Sequence, residues 1–305
     1  MKEKSEWIDV SLLKKLEAEG TDTHRLCTTD LAWVERFGRE LLISYKRQAE
    51  RERLTVELYF WQKSLDFDFL RIYGRFLPKK NEEREKPKLF FGDEQANPHT
   101  TATEHSLKYA IDFDAGYSVG FFIDQRENRR YLRQLAPARV LNTFAYTCSF
   151  SVAAASAGAE TVNIDLSKKS LARGRENFAL NGLPTASHKF IADDVFDVLP
   201  RLARRGEKFD VVILDPPTFS RSHRGRTFHA QSDYEELLNL ALPLVERNGR
   251  ILISTNCSTL REKGLEVMAR YCLKVARKAA QIHRSPPLPD FPRGTGASTI
   301  WLALR

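Results

Sequence analysis

No run of about 18 apolar residues occurs in the 305-residue sequence, so no segment of it is expected to span a membrane. Residues 1–10 contain no apolar h-region, which excludes a secretory signal there and fits a cytoplasmic protein. Cysteine is scarce: four residues, at 27, 148, 257 and 272, none of them in a Cys-x-x-Cys pair. No zinc cluster or thioredoxin motif is therefore expected, no metal is expected, and the thiols are expected to be free. No G-x-x-x-x-G-K-[ST] occurs, which excludes a P-loop NTPase. The chain also lacks internal repeats and low-complexity segments.

What is present is ordinary for a globular protein: 42% hydrophobic and 29% charged residues argue against wholesale disorder. Lys and Arg number 48 against 40 Asp and Glu, a net charge of +8. Residues 1–100 hold 19 of each sign, so the whole excess lies in 101–305, with 29 basic and 21 acidic residues. That distribution fits a nucleic-acid partner for the second part of the chain.

Two regions differ in pattern. Residues 8–19 read as an amphipathic helix, Leu41–Lys46 and Leu54–Phe60 as strands, Asp30–Glu40 as partly helical, and Lys108–Phe113 and Val119–Ile123 as further strands. The nearly all-charged tract 79–88 reads as a solvated loop. This mixed order suggests a small α+β domain over 1–125. From 126 onward, helices and apolar strands alternate. Strands are predicted at Arg139–Leu141, Thr161–Ile164, His188–Ala192, Phe209–Leu214, Arg250–Ser254 and Thr299–Leu304. Helices are predicted at Glu127–Leu135, Ser149–Ala157, Lys168–Leu180, Val195–Arg204, Tyr234–Val245 and Leu260–Ala279. Such alternation indicates an α/β domain over 126–305 built on a parallel, doubly wound sheet. Ligands of such sheets bind beyond the C-terminal strand ends.

Those ends carry a constellation. Asp165 closes the second strand, where an acid accepts the hydroxyls of a ribose, or else caps the helix at Lys168. Asp193-Asp194 closes the third, suited to an adenine amino group or again to a helix cap. The first loop, Asn142-Thr143-Phe144-Ala145-Tyr146-Thr147-Cys148, has no glycine. Dinucleotides need glycines there for backbone to approach phosphate, which counts against NAD and FAD. A ligand with an adenosine but no phosphate, such as S-adenosylmethionine, tolerates this loop.

Asp215-Pro216-Pro217-Thr218-Phe219 follows the fourth strand. Read alone it is a stiff turn; after the acids above it reads as a site for a planar base. Thr218 separates the prolines from Phe219, which argues against methylation of adenine amino groups. The following stretch, 220–229, offers Arg221, Arg224 and Arg226 with two histidines and Phe228, a basic loop suited to RNA or simply solvated. Cys257 lies at the end of the next strand. A thiolate there, added to carbon 6 of cytosine, would make carbon 5 nucleophilic enough to accept a methyl from a sulfonium. The alternative is a buried structural cysteine, the role expected of Cys27, Cys148 and Cys272, although Cys148 lies in the cofactor loop.

These residues resemble the two-domain bacterial methyltransferases of 23S ribosomal RNA, one branch acting on cytosine carbon 5 and another on guanine nitrogen 7. The resemblance rests on Gly120–Arg129, Leu141–Thr147, Asp193-Asp194-Val195-Phe196 and Leu214–Phe219, and more weakly on 21–26 and 35–38. It implies a Rossmann-like class I methyltransferase domain with a mainly parallel seven-stranded sheet, plus a small N-terminal α+β domain. It implies S-adenosylmethionine as cofactor, held by Gln125, Arg126, Asn142, Phe144, Tyr146, Asp165, Asp194 and Asp215. RNA, ribosomal by resemblance, would meet Pro216, Pro217, Phe219, Arg221, Arg224 and Arg226. Cys257 matches the nucleophile of the cytosine branch, with Asp215 holding the base. Two departures stand out: no room for the PUA domain usual in that branch, and Asn256-Cys257-Ser258-Thr259 where Ser-Cys-Ser-Gly is usual. The alternatives are nitrogen methylation without covalent catalysis, and a non-enzymatic RNA-binding or ribosome-assembly factor on the same fold.

Overall fold

The computed structural model describes residues 7–65, 68–78, 83–222, 225–285, 288–292 and 295–305. Residues 79–82 of the charged tract lie outside them. The chain forms two compact units, Met1–Ile123 with Leu288–Pro292, and Asp124–Pro287 with Arg293–Arg305.

In the first unit, helix α1 (Val10–Ala18) precedes the strands Thr23–Thr28 (β1), Ala32–Phe37 (β2) and Glu40–Tyr45 (β3). The stretch expected to be partly helical is thus β2. Val34 and Phe37 are buried, and the chain reverses at Gly38, whose φ of 63° suits glycine. Helix α2 (Gln48–Leu65) then carries the chain to Arg71–Phe76 (β4), which pairs parallel to β3; Lys88–Phe91 (β5) completes a five-stranded sheet. The strand expected at Leu54–Phe60 is the middle of α2. Leu54 and Leu58, four residues apart, are its buried face, while Val56, Tyr59 and Phe60 are exposed. Apolar residues on both faces imitated an alternating strand. His99–Glu104 (β6) and Leu107–Asp112 (β7) form a separate hairpin, and Val119–Ile123 is not a strand.

The second unit follows the predicted alternation closely. Helix α3 (Arg126–Leu135) leads to strand β8 (Arg139–Thr143), helix α4 (Ser149–Ala155), β9 (Glu160–Asp165), α5 (Lys168–Leu180), β10 (Lys189–Ala192), α6 (Val195–Arg204) and β11 (Phe209–Leu214). A short hairpin follows, β12 (Phe219–Arg221) and β13 (Thr227–His229). Then come α7 (Ala230–Ala241), β14 (Val245–Thr255), α8 (Glu262–Val275), β15 (Ala280–Arg284) and β16 (Ser298–Leu304). Seven strands lie in the order β10-β9-β8-β11-β14-β16-β15, with β16 antiparallel to both its neighbours. This is the expected mainly parallel seven-stranded sheet. The unforeseen strand is β15, whose half-polar sequence Ala-Gln-Ile-His-Arg suits an edge.

Alternation within the strands sorts the core into two layers. Val212, Leu214, Ile251 and Ile253 face the layer containing α6, α7 and α8. Val211, Ile213, Leu252 and Trp301 face the layer with Leu132 of α3 and Phe150 of α4. The sheet thus presents its parallel C-terminal ends, at Thr143, Asp165, Leu214 and Thr255, on one rim. Among the described residues no helix is long and apolar enough to cross a membrane, and no cluster of three or more His, Cys, Asp or Glu is placed to hold a metal ion.

Candidate active site

The rim begins with the glycine-free loop after β8. Phe144, Tyr146 and Cys148 take left-handed conformations, with φ of 51°, 48° and 58°. Each side chain there costs energy a glycine would not, so surrounding contacts must hold the loop. They do. Ala145 N–H donates to Ile164 O at 2.9 Å and Cys148 N–H to Ala145 O at 2.7 Å; Tyr146 N–H donates to Asp165 Oδ2 at 2.8 Å. From α5, Asn177 Nδ2 donates to Thr147 O at 2.8 Å. A Cβ on Gly174 would lie 2.5 Å from Cys148 Sγ, so only glycine lets α5 come this close. Three loop amides are therefore engaged by protein acceptors and are not offered to a phosphate.

Asp165 is an organiser of this corner. One oxygen accepts from Tyr146 as above, and Oδ1 accepts from Ser167 N–H at 2.8 Å. Ser167, not Asp165, caps α5, its hydroxyl oxygen accepting from Ser170 N–H at 3.1 Å. Burial raises the Asp165 carboxyl above its ordinary pKa, and the two backbone donors pull it back down. Each oxygen keeps a second lone pair, so the carboxylate can still accept a diol.

Asp194 does cap a helix: Oδ1 accepts from Phe196 N–H at 3.0 Å at the start of α6. Asn142 is buried one residue below the strand end, its Nδ2 donating to Ser151 Oγ of α4 at 2.9 Å, a brace between strand and helix. Arg126 is fully buried at the start of α3, with Nε 3.7 Å from Glu127. Cys148 is also fully buried, and burial pushes its thiol far up, as suits a structural residue.

The next corner joins the ends of β11 and β14, which pair parallel with Leu214 opposite Ile253. Burial pushes the Asp215 carboxyl up to about 6; a Ser254 hydrogen bond lowers it, Asp124 raises it and Arg129 lowers it. Gln125 Nε2 donates to Asp215 Oδ2 at 3.3 Å and to Ser254 Oγ at 2.6 Å. Cys257 follows three residues after Ser254. Its sulfur lies 3.1 Å from Thr259 Oγ1, which is itself 3.1 Å from Gln231 Oε1. Burial raises this thiol, but the Thr259 hydroxyl with the Thr259 and Leu260 amides outweighs it, and the net pKa is lowered. The residue is 7% exposed, which restricts its partners to a group entering the site.

Tyr234 was not legible as a site residue. Its hydroxyl lies 2.6 Å from Leu214 O and 2.8 Å from Ser254 O, and accepts the Ser254 N–H at 3.0 Å. It ties together the strand ends that launch Asp215 and Cys257. Tyr234→Phe leaves these buried backbone groups short of a partner and should cost about 1–3 kcal/mol. Thermal unfolding followed by circular dichroism should show a lower Tm; an unchanged Tm would mean the bridge contributes nothing.

The β12–β13 hairpin covers one side. Phe228, buried, packs against Phe144 at 5.9 Å and Phe196 at 5.6 Å between ring centroids. Phe219 is 54% exposed beside His229, with ring centroids 5.0 Å apart. Pro216 is buried, whereas Pro217 and Arg221 are exposed. Arg226 is already engaged, over the Phe196 ring at 3.9 Å and paired with Glu236 at 2.7 Å. Arg224 lies outside the described residues.

The sequence model of a family described as S-adenosylmethionine-dependent methyltransferase matches residues 91–301. The chain is similar to ribosomal RNA large subunit methyltransferase I of Aeromonas hydrophila, 35% identical over 295 residues, covering 92% of this chain and 72% of that protein. It is similar also to that of Aeromonas salmonicida, 36% identical over 221 residues, covering 71% of this chain and 55% of that protein. The chain thus spans between about half and three quarters of these relatives. A crystal structure of a protein complexed with SAH shares the fold, with a TM-score of 0.83 at 24% identity, covering 97% of this chain and 78% of the other.

Proposed function

Because the chain belongs to the S-adenosylmethionine-dependent methyltransferase family, we propose that it methylates RNA of the large ribosomal subunit, at carbon 5 of a cytosine, with Cys257 as nucleophile. The observation that carries this reading is the corner between β11 and β14. A thiol of lowered pKa and a protein-held carboxyl leave adjacent strand ends, as addition to a pyrimidine ring requires. The rRNA target is taken from the relatives, which are named for large-subunit rRNA methylation.

The residues fit the family's cofactor. Asp165 retains lone pairs for a ribose, and the engaged amides at Ala145, Tyr146 and Cys148 suit a nucleoside without phosphate. Asp165, Asp194, Phe144 and Tyr146 would hold S-adenosylmethionine, while the buried Gln125, Arg126 and Asn142 would brace the site from beneath. When bound, it supplies an electrophilic methyl on a sulfonium. The remaining work falls to the chain. Cys257, as thiolate, forms a bond to carbon 6 of the base, and the displaced electron pair makes carbon 5 nucleophilic. Asp215 holds the base edge while this charge develops. After carbon 5 is methylated, loss of its proton to a base or water re-forms the double bond and expels the thiolate, so Cys257 is regenerated. Exposed Phe219, beside His229, offers a flat surface to a neighbouring base, and Pro217 and Arg221 line the approach.

The test is direct. Purified protein, S-adenosylmethionine and undermethylated 23S rRNA should yield 5-methylcytidine on nucleoside mass spectrometry, with a rate that falls steeply as salt rises. Appearance of a nitrogen-methylated base instead would overturn the chemistry, and no methylated product would overturn the activity.

A further inference from the structure

Behind the Asp215 corner runs a chain of hydrogen bonds whose direction is fixed at its far end. Trp301, on β16, is 3% exposed, and its Nε1 lies 2.9 Å from Asn128 Oδ1. Ser285 Oγ lies 2.6 Å from the same oxygen. Asn128 Nδ2 lies 2.8 Å from Gln125 Oε1, and Gln125 Nε2 reaches Ser254 Oγ and Asp215 Oδ2. An amide side chain turned end for end fits its site equally well in shape, so something chemical must set which way each points. The serine hydroxyl can donate or accept. An indole N–H can only donate.

We infer that Trp301 is a positioning residue for Asp215: its obligate donor forces Asn128 to present oxygen, Asn128 therefore gives its N–H to Gln125, and Gln125 is left presenting N–H to the carboxylate. Ser254 Oγ accepts from Gln125, which leaves its own proton for Asp215. Two donors then face the carboxyl from behind and favour its ionised form against the push of burial, while its front stays open to a ligand. The inference rests on the proposed role of Asp215 for its functional meaning, but not for its physics.

Fold topology explains how these residues meet. Leu252 and Ser254 of β14 point to the α3 layer, and β16 pairs with β14 so that Trp301 lies opposite Leu252. Gln125 and Asn128, three residues apart at the start of α3, stand one above the other on the facing side. The tyrosine edge of α3 packs on the indole, Tyr131 to Trp301, at 4.9 Å.

The other charged or titratable groups that act on Asp215 are Asp124, Arg129 and Tyr234. None is replaced in Trp301→Phe, so the substitution removes the indole donor and no charged group. In Trp301→Phe the amides lose the donor that enforces their direction at the far end, so Gln125 can turn its oxygen to accept from the protonated Asp215 carboxyl. The Asp215 pKa, followed by carbon NMR of the labelled carboxyl and assigned with Asp215→Asn, should then rise by about one unit. Ser285→Ala should leave it nearly unchanged, because that hydroxyl follows the direction set by the indole. The same order is expected in the acid limb of the pH–rate profile. An unshifted pKa in Trp301→Phe, or an equal shift in Ser285→Ala, overturns the inference. Should Trp301→Phe not fold, the wild-type protein provides the measurement. The Trp301 Nε1–H resonance should titrate with the Asp215 midpoint, at about 6, and lose that step in Asp215→Asn; a flat resonance overturns the relay. None of these NMR readings needs RNA or cofactor, so failure of the proposed methylation leaves them interpretable, and the reverse holds too.

Discussion

Cys257→Ala is expected to lower methyl transfer by about three orders of magnitude or more, the scale seen when a covalent nucleophile is removed. The loss should fall on kcat rather than on cofactor binding, because Cys257 is at the end of β14, away from the Asp165 corner on β9. RNA carrying 5-fluorocytosine at the target position sharpens the test. Fluorine at carbon 5 cannot leave as a proton does, so the adduct cannot collapse and should persist on a denaturing gel with wild-type protein. Cys257→Ala should form none. Thr259 bears on the same thiol. Its single hydroxyl proton is shared between the sulfur and Gln231 Oε1, each 3.1 Å away. Turned to the sulfur, it stabilises the thiolate. Full activity in Cys257→Ala would remove the thiol mechanism and leave direct methylation of a nitrogen.

The second large effect separates stability from function. Asp215→Asn should make the protein more stable at pH 8 while abolishing activity. The carboxyl is pushed up to about 6 by burial, against 3.8 for the ordinary group. A raised folded pKa means that the protonated form is the one folding prefers. Its stabilisation is complete below about pH 4 and is lost as pH rises through about 6. Two pKa units correspond to about 3 kcal/mol. Since part of Asp215 reaches the surface, about 2–3 kcal/mol is the scale at pH 8. Asparagine keeps the neutral shape at every pH and escapes this cost. Its Tm should exceed the wild type by several degrees at pH 8, and the gap should close toward pH 4. An equal or lower Tm for Asp215→Asn at pH 8 would mean that the carboxylate is not held at a cost. Destabilisation is expected to be retained where charge must be presented to a ligand.

The second unit was legible because its strands are short apolar runs with acids at their ends and its helices have clear stops. Lys168–Leu180, Val195–Arg204 and Phe209–Leu214 fall where the periodicity puts them. The first unit was less so. Leu54 and Leu58 mark one face of α2, but Val56 and Phe60 on the other face supplied a false period of two. From the sequence, Asp165 suits either a ribose acid or a helix cap. The structure gives the cap to Ser167, a residue equally visible in the sequence, because the chain continues extended past the strand end. Asn128 lay inside a motif already singled out and one helical turn from Gln125, a signal that pointed to it. Ser254, Tyr234 and Trp301 had no local signal.

The sequence by itself determined the alternating sheet, the phosphate-averse first loop, the acids and the cysteine at strand ends, and hence the family. Each is written within a few consecutive residues. The tertiary structure alone decided how those groups are set to work. Residues 125, 128, 215, 254 and 301 meet only because α3 packs across β14 and its antiparallel neighbour β16. The direction of a hydrogen bond and the ionisation of a carboxyl depend on such partners, which no spacing along the chain records.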